Sequence, residues 1–221
     1  MNDLDKYFKK NKQRELTKWS NYFEIYERHF NRFRNKPITL LEIGVGFGGS
    51  LQMWKSYFGK KARIIGIDIE PICKSVEEKQ IEVYIGSESD KTFLKDLKNK
   101  IPLLDILIDD GGHFMDQQIT GFEEMFGHIK ENGVYLIEDL CTSYWDEFNG
   151  GYKKPGTFIE YSKNFIDNLN ANHSREGNLI VNEFTKSVNS IHYYDNVLVI
   201  EKGRKEQNVI LFSGTIRYPG Y

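Results

Sequence analysis

The sequence lacks the features that mark secreted and membrane-spanning proteins. Its 221 residues include two cysteines, Cys73 and Cys141, too few for a disulfide framework or a metal site built from cysteine alone. The longest apolar runs, such as residues 197–200, are far too short to span a bilayer. The first residues contain no apolar segment typical of a secretory signal. We therefore expect a cytoplasmic protein with no membrane span.

An excess of basic residues is also missing, since the formal net charge is −2. A protein dedicated to nucleic-acid binding usually carries a strong positive charge, so we expect no nucleic-acid partner. Hydrophobic residues make up 39% of the chain, which is enough for a real core and excludes a wholly disordered protein. The length fits one domain with an appendage.

The charge is divided unevenly along the chain. Residues 1–36 hold ten Lys and Arg against five Asp and Glu, a net charge of +5, which leaves −7 for residues 37–221. Aromatic residues recur every three or four positions between Trp19 and Phe33, a spacing typical of an amphipathic helix. We expect a basic aromatic arm (residues 1–36) packed on a main domain (residues 37–221). The arm is alternatively a lid whose Lys18, Trp19 and Tyr22 touch a ligand, or a contact between subunits of a homo-oligomer.

After Pro37, short apolar runs alternate with segments of helical spacing. Five of the runs read as buried strands, and residues 191–200 read as a hairpin around Asp195 and Asn196. This pattern predicts an α/β fold: a Rossmann-like, seven-stranded, mostly parallel sheet with an antiparallel terminal hairpin and helices on both faces. A turn is expected at residues 131–133, and the helix before it is expected to reach Ile129. Ligands of such sheets bind beyond the carboxyl ends of the strands.

A glycine-rich loop follows the first predicted strand. Gly44, Gly46 and Gly49 match the dinucleotide-binding pattern G-x-G-x-x-G, in which glycine lets a ligand approach the backbone closely. Glu42 argues against a dinucleotide, because a carboxylate would repel a diphosphate at this loop. S-adenosylmethionine (SAM) carries no phosphate, and a carboxylate suits its cationic groups.

Asp68 ends the second predicted strand, 24 residues after Gly44. An acidic residue at about this distance from the glycine loop is placed to accept hydrogen bonds from ribose hydroxyls. This role fits NAD and SAM equally, so Asp68 does not distinguish the two.

Two acidic pairs, Asp109-Asp110 and Glu138-Asp139, follow the fourth and fifth predicted strands. Carboxylates at the ends of neighbouring strands repel one another unless a cation lies between them, and oxygen ligands suit Mg²⁺. His113 follows the first pair on a glycine loop, where an imidazole can act as a general base. The alternative role for His113 is to cap the following helix.

Three segments together resemble a known family. They are Leu-Leu-Glu-Ile-Gly-Val-Gly (residues 40–46), Ile-Asp-Asp-Gly-Gly-His (108–113) and Ile-Glu-Asp-Leu-Cys-Thr-Ser-Tyr-Trp (137–145). They are similar to class I SAM-dependent O-methyltransferases. More narrowly, they resemble the metal-dependent macrolide sugar O-methyltransferases of the mycinamicin VI 2''-O-methyltransferase type and the cephalosporin hydroxylase-like group. Two departures are Cys141, where members often have His, and a chain shorter than the macrolide enzymes.

The resemblance implies a role for each matching residue. At the SAM site, Glu42, Gly44 and Gly46 would line the methionine end, Asp68 would hold the ribose, Ser87 and Glu88 would lie near the adenine, and Asp109 would lie close to SAM. At the metal, Asp110, Glu138 and Asp139 would bind Mg²⁺, and His113 would remove the proton of a sugar hydroxyl. Thr142, Tyr144 and Trp145 would form part of the acceptor pocket.

The resemblance therefore implies a SAM- and Mg²⁺-dependent sugar O-methyltransferase. Its acceptor would be a sugar, nucleotide-sugar or glycoside, with surface polysaccharide biosynthesis as the expected setting. Two alternatives stay open. One is an NAD-dependent oxidoreductase or epimerase, although no Tyr-x-x-x-Lys pair follows the fifth strand. The other is a non-catalytic sugar-binding protein of the same fold.

Overall fold

A single seven-stranded sheet organises the molecule. The computed structural model describes residues 2–203 and 209–215. The strands are β1 (Thr39–Ile43), β2 (Arg63–Asp68), β3 (Ile81–Ile85), β4 (Leu104–Asp109), β5 (Ile129–Ile137), β6 (Val188–Tyr194) and β7 (Val197–Lys202). They lie in the order β3-β2-β1-β4-β5-β7-β6, with β1 to β5 parallel and β7 antiparallel to both of its neighbours. The predicted Rossmann-like sheet with a terminal hairpin is confirmed.

Helices cover both faces of this sheet. They are α1 (Asp3–Lys10), α2 (Tyr22–Phe30), α3 (Gly49–Phe58), α4 (Lys91–Lys100), α5 (Met115–Met125), α6 (Phe158–Asn170) and α7 (Glu183–Ser187). Successive side chains of a strand point to opposite faces, so Leu40 and Leu41 of β1 enter two different buried clusters. Within residues 2–203 and 209–215, no helix is long and apolar enough to cross a bilayer.

The N-terminal arm packs closely on the rest of the protein. The α2 side chains Phe23, Tyr26 and Phe30 are buried, and the Tyr26 ring meets the Trp54 ring of α3 edge to face at 4.9 Å. Residues 11–21, between α1 and α2, form no helix or strand. The division into residues 1–36 and 37–221 stays a prediction, and residues 204–208 and 216–221 of the second part lie outside the described residues.

Two local predictions around β5 are wrong. The helix does not reach Ile129, because α5 ends at Met125 and Ile129 pairs with Leu104 of β4. The turn expected at residues 131–133 belongs to β5, where the register shifts between the Leu104–Ile129 and Ile106–Val134 pairs. Residues 131–133 thus continue β5 as an irregular stretch between these two pairs.

Candidate functional site

The carboxyl ends of neighbouring parallel strands bring the predicted site residues to one edge of the sheet. Ile43 of β1 pairs with Asp109 of β4, which in turn pairs with Ile137 of β5. The residues that follow, Asp110 and Glu138, therefore leave the sheet side by side. This is the edge where the sequence predicts the acidic pairs to meet.

The glycine loop after β1 is held by the end of β2. A carboxylate oxygen of Asp68 accepts hydrogen bonds from the backbone nitrogens of Val45 (2.9 Å) and Gly46 (3.1 Å), and its other oxygen accepts one from Glu70 (2.9 Å). Burial opposes the charge of Asp68, but these three donors lower its pKa below the ordinary value. Asp68 thus shapes the loop, and it also lines the cavity beside it.

The loop has no room for a side chain at its first glycine. Gly44 has a φ of +89°, and a Cβ there would lie 2.0 Å from the carbonyl oxygen of Asp110. The β1 loop and the β4 loop consequently approach each other backbone to backbone. Glycine is thus required at position 44 by the neighbouring loop, while its predicted contact with a ligand stays a prediction.

A cavity of about 450 Å³ opens above the loop. Its lining comes from the glycine loop, the end of β2, the loops after β3 and β4, the first turn of α5 and the arm. Five predicted cofactor residues contribute to it: Gly44, Gly46, Asp68, Ser87 and Glu88. The arm closes one side with residues 15–18, a wall that sequence reasoning did not anticipate beyond Lys18.

Two predicted cofactor residues lie beneath this cavity. Glu42 and Asp109 are both fully buried. Glu42 accepts hydrogen bonds from the Ser50 hydroxyl (2.9 Å) and the Trp54 indole (3.1 Å). Burial raises the pKa of Glu42 to about 7, although Lys18 acts in the opposite direction. Direct contact of Glu42 and Asp109 with a cofactor stays a prediction.

Asp109 belongs to a buried pair of carboxyl groups. No hydrogen-bond donor within the described residues contacts either carboxylate oxygen of Asp109, or Oε2 of Glu88. Burial and mutual repulsion raise the pKa of Asp109, and burial raises the pKa of Glu88 to about 7. A proton shared between the two groups would relieve the repulsion.

Three potential metal ligands face one another at the mouth of the site. Nε2 of His113 lies 3.4 Å from Oδ2 of Asp139 and 3.9 Å from Oδ1 of Asp110. These three donor atoms all lie within 4.8 Å of one another. Two carboxylates and an imidazole in such an arrangement have the chemistry to hold a divalent cation. The sequence predicts that Asp110, His113 and Asp139 lie close together, and the structure brings them together.

Glu138, the other predicted metal ligand, is directed inward. Its side chain is 1% exposed, with Oε1 accepting a hydrogen bond from the Tyr26 hydroxyl at 2.6 Å and Oε2 one from Nζ of Lys18 at 2.8 Å. Burial and the nearby Asp110 raise the pKa of Glu138, while Lys18 and Tyr26 lower it. Tyr26 was not predicted as a site residue. Its position one helical turn after Tyr22 was the available signal.

Lys18 extends from the arm into the cluster of acidic side chains. Nζ donates to Oδ2 of Asp110 and Oε2 of Glu138, and lies 3.7 Å from Oε1 of Glu42. The side chain is only 2% exposed. Burial alone would lower the pKa of Lys18, but attraction to the three carboxylates outweighs it and raises the pKa above the ordinary value.

The residues that follow Lys18 engage Asp139. The Trp19 indole and the Tyr22 hydroxyl donate to Oδ1 of Asp139 at 3.0 and 2.5 Å, and the Asn196 amide does so at 3.1 Å. Asn196 lies in the β6–β7 turn, and sequence reasoning assigned it only to that turn. Lys18, Trp19 and Tyr22 therefore reach the site, where they contact its acidic residues.

The predicted acceptor residues lie on the loop after β5. Thr142 is buried and donates its hydroxyl to the carbonyl of Asp139 at 2.8 Å. Tyr144 and Trp145 are 51% and 43% exposed. A second cavity of about 330 Å³ is lined by the arm, Asp110, Glu138 and Asp139. Thr142, Tyr144 and Trp145 are not part of that lining, so their contact with an acceptor stays a prediction.

Comparisons with known proteins point to one group of enzymes. No protein-family model matches the chain. It is 34% identical over 196 residues to the 8-demethyl-8-alpha-L-rhamnosyl tetracenomycin-C 2'-O-methyltransferase of Streptomyces olivaceus, an alignment covering 84% of this chain and 51% of that enzyme. It is 36% identical over 198 residues to the mycinamicin VI 2''-O-methyltransferase of Micromonospora griseorubida, covering 84% of this chain and 49% of that enzyme.

The solved structures agree with the sequence comparison. The MycE methyltransferase in complex with Mg, SAH and mycinamycin VI superposes with a TM-score of 0.81 at 32% identity, over 95% of this chain and 55% of that one. The chain thus spans about half the length of the curated relatives it matches.

Proposed function

The chain is a relative of the class I SAM-dependent sugar O-methyltransferases, and we propose that it transfers a methyl group from SAM to a hydroxyl of a sugar. One observation carries the proposal. Asp110, His113 and Asp139 converge at the strand ends, beside a cavity lined by the glycine loop. A cofactor site and an acid–base site therefore adjoin at one edge of the sheet.

The cavity fits SAM better than a phosphate-bearing cofactor. Asp68, Glu88 and Asp110 line it, and Glu42 lies beneath it. Such a surface suits the amino and sulfonium groups of SAM and would repel a diphosphate. Gly44 and Gly46 would lie at its methionine end, Asp68 at the ribose, and Ser87 and Glu88 near the adenine. Asp109 is buried beneath the cavity and would influence SAM indirectly, through the neighbouring carboxyl group of Glu88.

The donor set also fits a divalent cation such as Mg²⁺. Oxygen ligands on neighbouring strand ends are what this ion requires, and Asp110, Glu138 and Asp139 would hold it. When bound, the ion lowers the pKa of a coordinated hydroxyl and SAM supplies the methyl group. His113 would accept the proton of the acceptor hydroxyl at Nε2, which lies 3.4 Å from Oδ2 of Asp139, and that carboxylate would orient the imidazole.

The acceptor is proposed to be a sugar of a glycoside or a nucleotide-sugar. The exposed rings of Tyr144 and Trp145 offer flat apolar faces for a sugar ring, next to Thr142. MycE was solved with the glycoside mycinamycin VI, which supports this class of acceptor. A role in surface polysaccharide biosynthesis, a homo-oligomeric assembly, a cytoplasmic location and the lack of a nucleic-acid partner remain predictions from the sequence.

A screen of acceptors tests the proposal. The chain would be incubated with SAM, Mg²⁺ and a panel of nucleotide-sugars and rhamnosyl glycosides, and each product would be weighed by mass spectrometry. We expect one acceptor class to gain a single methyl group, and calorimetry to detect SAM but not NAD. Binding of NAD in preference to SAM would contradict the proposal and favour the oxidoreductase alternative. Binding of SAM without any methylated product would favour a non-catalytic role.

A further inference from the structure

Lys18 lies where four carboxylates need a positive charge. Glu42, Asp110 and Glu138 lie within 4 Å of its Nζ, and Asp139 adjoins the same cluster through His113. Within residues 2–203 and 209–215, no other Lys or Arg pairs with any of these four side chains. One ammonium group therefore serves as the shared partner of several carboxyl groups.

The contacts of Lys18 involve the atoms that a divalent ion would need. Oδ2 of Asp110 and Oε2 of Glu138 both accept hydrogen bonds from Nζ, so neither is free to bind a metal at the same time. Only Oδ1 of Asp110 and Oδ2 of Asp139 face His113 on the outer side. A second cation placed a few ångströms from a buried ammonium would also be repelled by it.

We propose that the Lys18 ammonium is a tethered cation that competes with a divalent ion for Asp110 and Glu138, and that Lys18 thereby sets the metal affinity of the site. The inference rests on the metal site of the proposed function. Competition is reciprocal, so a bound ion must weaken the hold of Lys18 by the same factor by which Lys18 weakens the binding of the ion.

The segment that carries Lys18 lies outside the helices and strands of the fold. Residues 11–21 form no regular structure, so Lys18 can withdraw without breaking α1 or α2. Trp19 and Tyr22 hold the segment through Asp139, another proposed metal ligand, so metal binding would loosen these contacts as well. Because residues 15–18 wall the cofactor cavity, metal loading and access to that cavity become linked.

Metal titration tests the proposal without any methyl transfer. Mn²⁺ binding would be followed by the loss of its free electron paramagnetic resonance signal, in the wild type and in the Lys18→Met, Lys18→Arg and Lys12→Met variants. We expect Lys18→Met to bind Mn²⁺ at least about tenfold more tightly, because it removes the competing charge. Lys18→Arg keeps a cation and should stay near the wild type. Lys12 is exposed on the same segment, so Lys12→Met should have no effect.

Unchanged or weaker binding in Lys18→Met, or no binding to any variant, would overturn the inference. Weaker binding would mean that Lys18 instead holds the carboxylates in place for the ion. If Lys18→Met does not fold, hydrogen exchange of the wild type still decides: Mg²⁺ should accelerate exchange at residues 17–22, and slower or unchanged exchange contradicts competition. Tighter metal binding in a chain that methylates no sugar would leave this inference standing and overturn the proposed function.

Discussion

Nε2 of His113 lies 3.4 Å from Oδ2 of Asp139, and both residues adopt a left-handed backbone conformation, with φ of 58° and 55°. This conformation is uncommon for residues other than glycine and costs of order 1 kcal/mol or more at each position. Asp139 recovers part of this cost through hydrogen bonds from Trp19, Tyr22 and Asn196. Nδ1 of His113 is buried and has no hydrogen-bond partner among residues 2–203 and 209–215. Backbone strain and an unpartnered polar atom therefore coincide at the two residues proposed to take part in the chemistry.

Replacing His113 should abolish most of the methyl transfer. His113→Ala removes the proposed base, and we expect kcat to fall about 10²- to 10⁴-fold while SAM binding, measured by calorimetry, stays the same. His173 is exposed and outside the site, so His173→Ala is the matched control and should retain the wild-type rate. Full activity of His113→Ala would remove the base role from this residue.

The sheet was predictable because each strand carries its own signal. Nearly continuous apolar runs are typical of strands buried on both faces, and the polar residue after each run, such as Asp68 or Asp110, marks the carboxyl end. Prediction failed at the start of β5, where Ile129 pairs with Leu104 of β4, a residue distant from it in sequence. Residues 131–133 look like a turn in isolation, yet they continue β5 as an irregular stretch between the Leu104–Ile129 and Ile106–Val134 pairs.

The same limit applies to the site. The convergence of Asp110, His113 and Asp139 follows from strand order, which the pattern predicts. The insertion of Lys18, 92 positions before Asp110, does not, because any of the ten basic residues of the arm could have paired with the acidic edge. Contacts between distant parts of the chain, such as the Tyr26–Trp54 ring contact of α2 with α3 and the hydrogen bond from Arg14 to the Val76 carbonyl, place the segment that carries Lys18 at this edge.

Gly44→Ala should impair both folding and cofactor binding. The new Cβ would lie 2.0 Å from the carbonyl oxygen of Asp110, at a φ of +89° that alanine tolerates poorly. We expect a loss of at least about 2 kcal/mol in the free energy of unfolding, measured by urea denaturation, and weaker SAM binding. A Cβ at Gly127 would meet open space, so Gly127→Ala should be close to neutral. Equal stability of the two variants would contradict the close approach of the two loops.

Tyr26→Phe should destabilise the protein, because the Tyr26 hydroxyl contacts Glu138 in the buried interior beneath the site. The substitution removes the 2.6 Å hydrogen bond to Glu138 and leaves a buried carboxylate oxygen without its donor. We expect a cost of about 1–3 kcal/mol in the free energy of unfolding. Tyr152 is 78% exposed, and Tyr152→Phe should leave the same measurement unchanged. No difference between the variants would show that the Tyr26 hydroxyl is not needed to keep Glu138 buried.

Glu88 and Asp109 should make the metal-free, cofactor-free protein less stable as pH rises. The pKa of Glu88 is raised from 4.5 to about 7 in the folded state, and that of Asp109 is also raised. A group with a raised pKa contributes its full stability below its unfolded pKa and loses it as pH increases through the folded pKa. The loss of stability from Glu88 therefore begins near pH 4.5 and continues through about pH 7.

The Glu88→Gln variant tests this pH dependence, because the glutamine side chain cannot ionise and its amide can donate a hydrogen bond to Asp109. We expect it to be more stable than the wild type by about 1–3 kcal/mol at pH 8, with little difference at pH 5, as measured by denaturation across that range. Glu131 is exposed, and Glu131→Gln should follow the wild-type profile. A Glu88→Gln variant that loses stability at pH 8 would mean that Glu88 is held as a carboxylate, which would leave no shared proton in the pair.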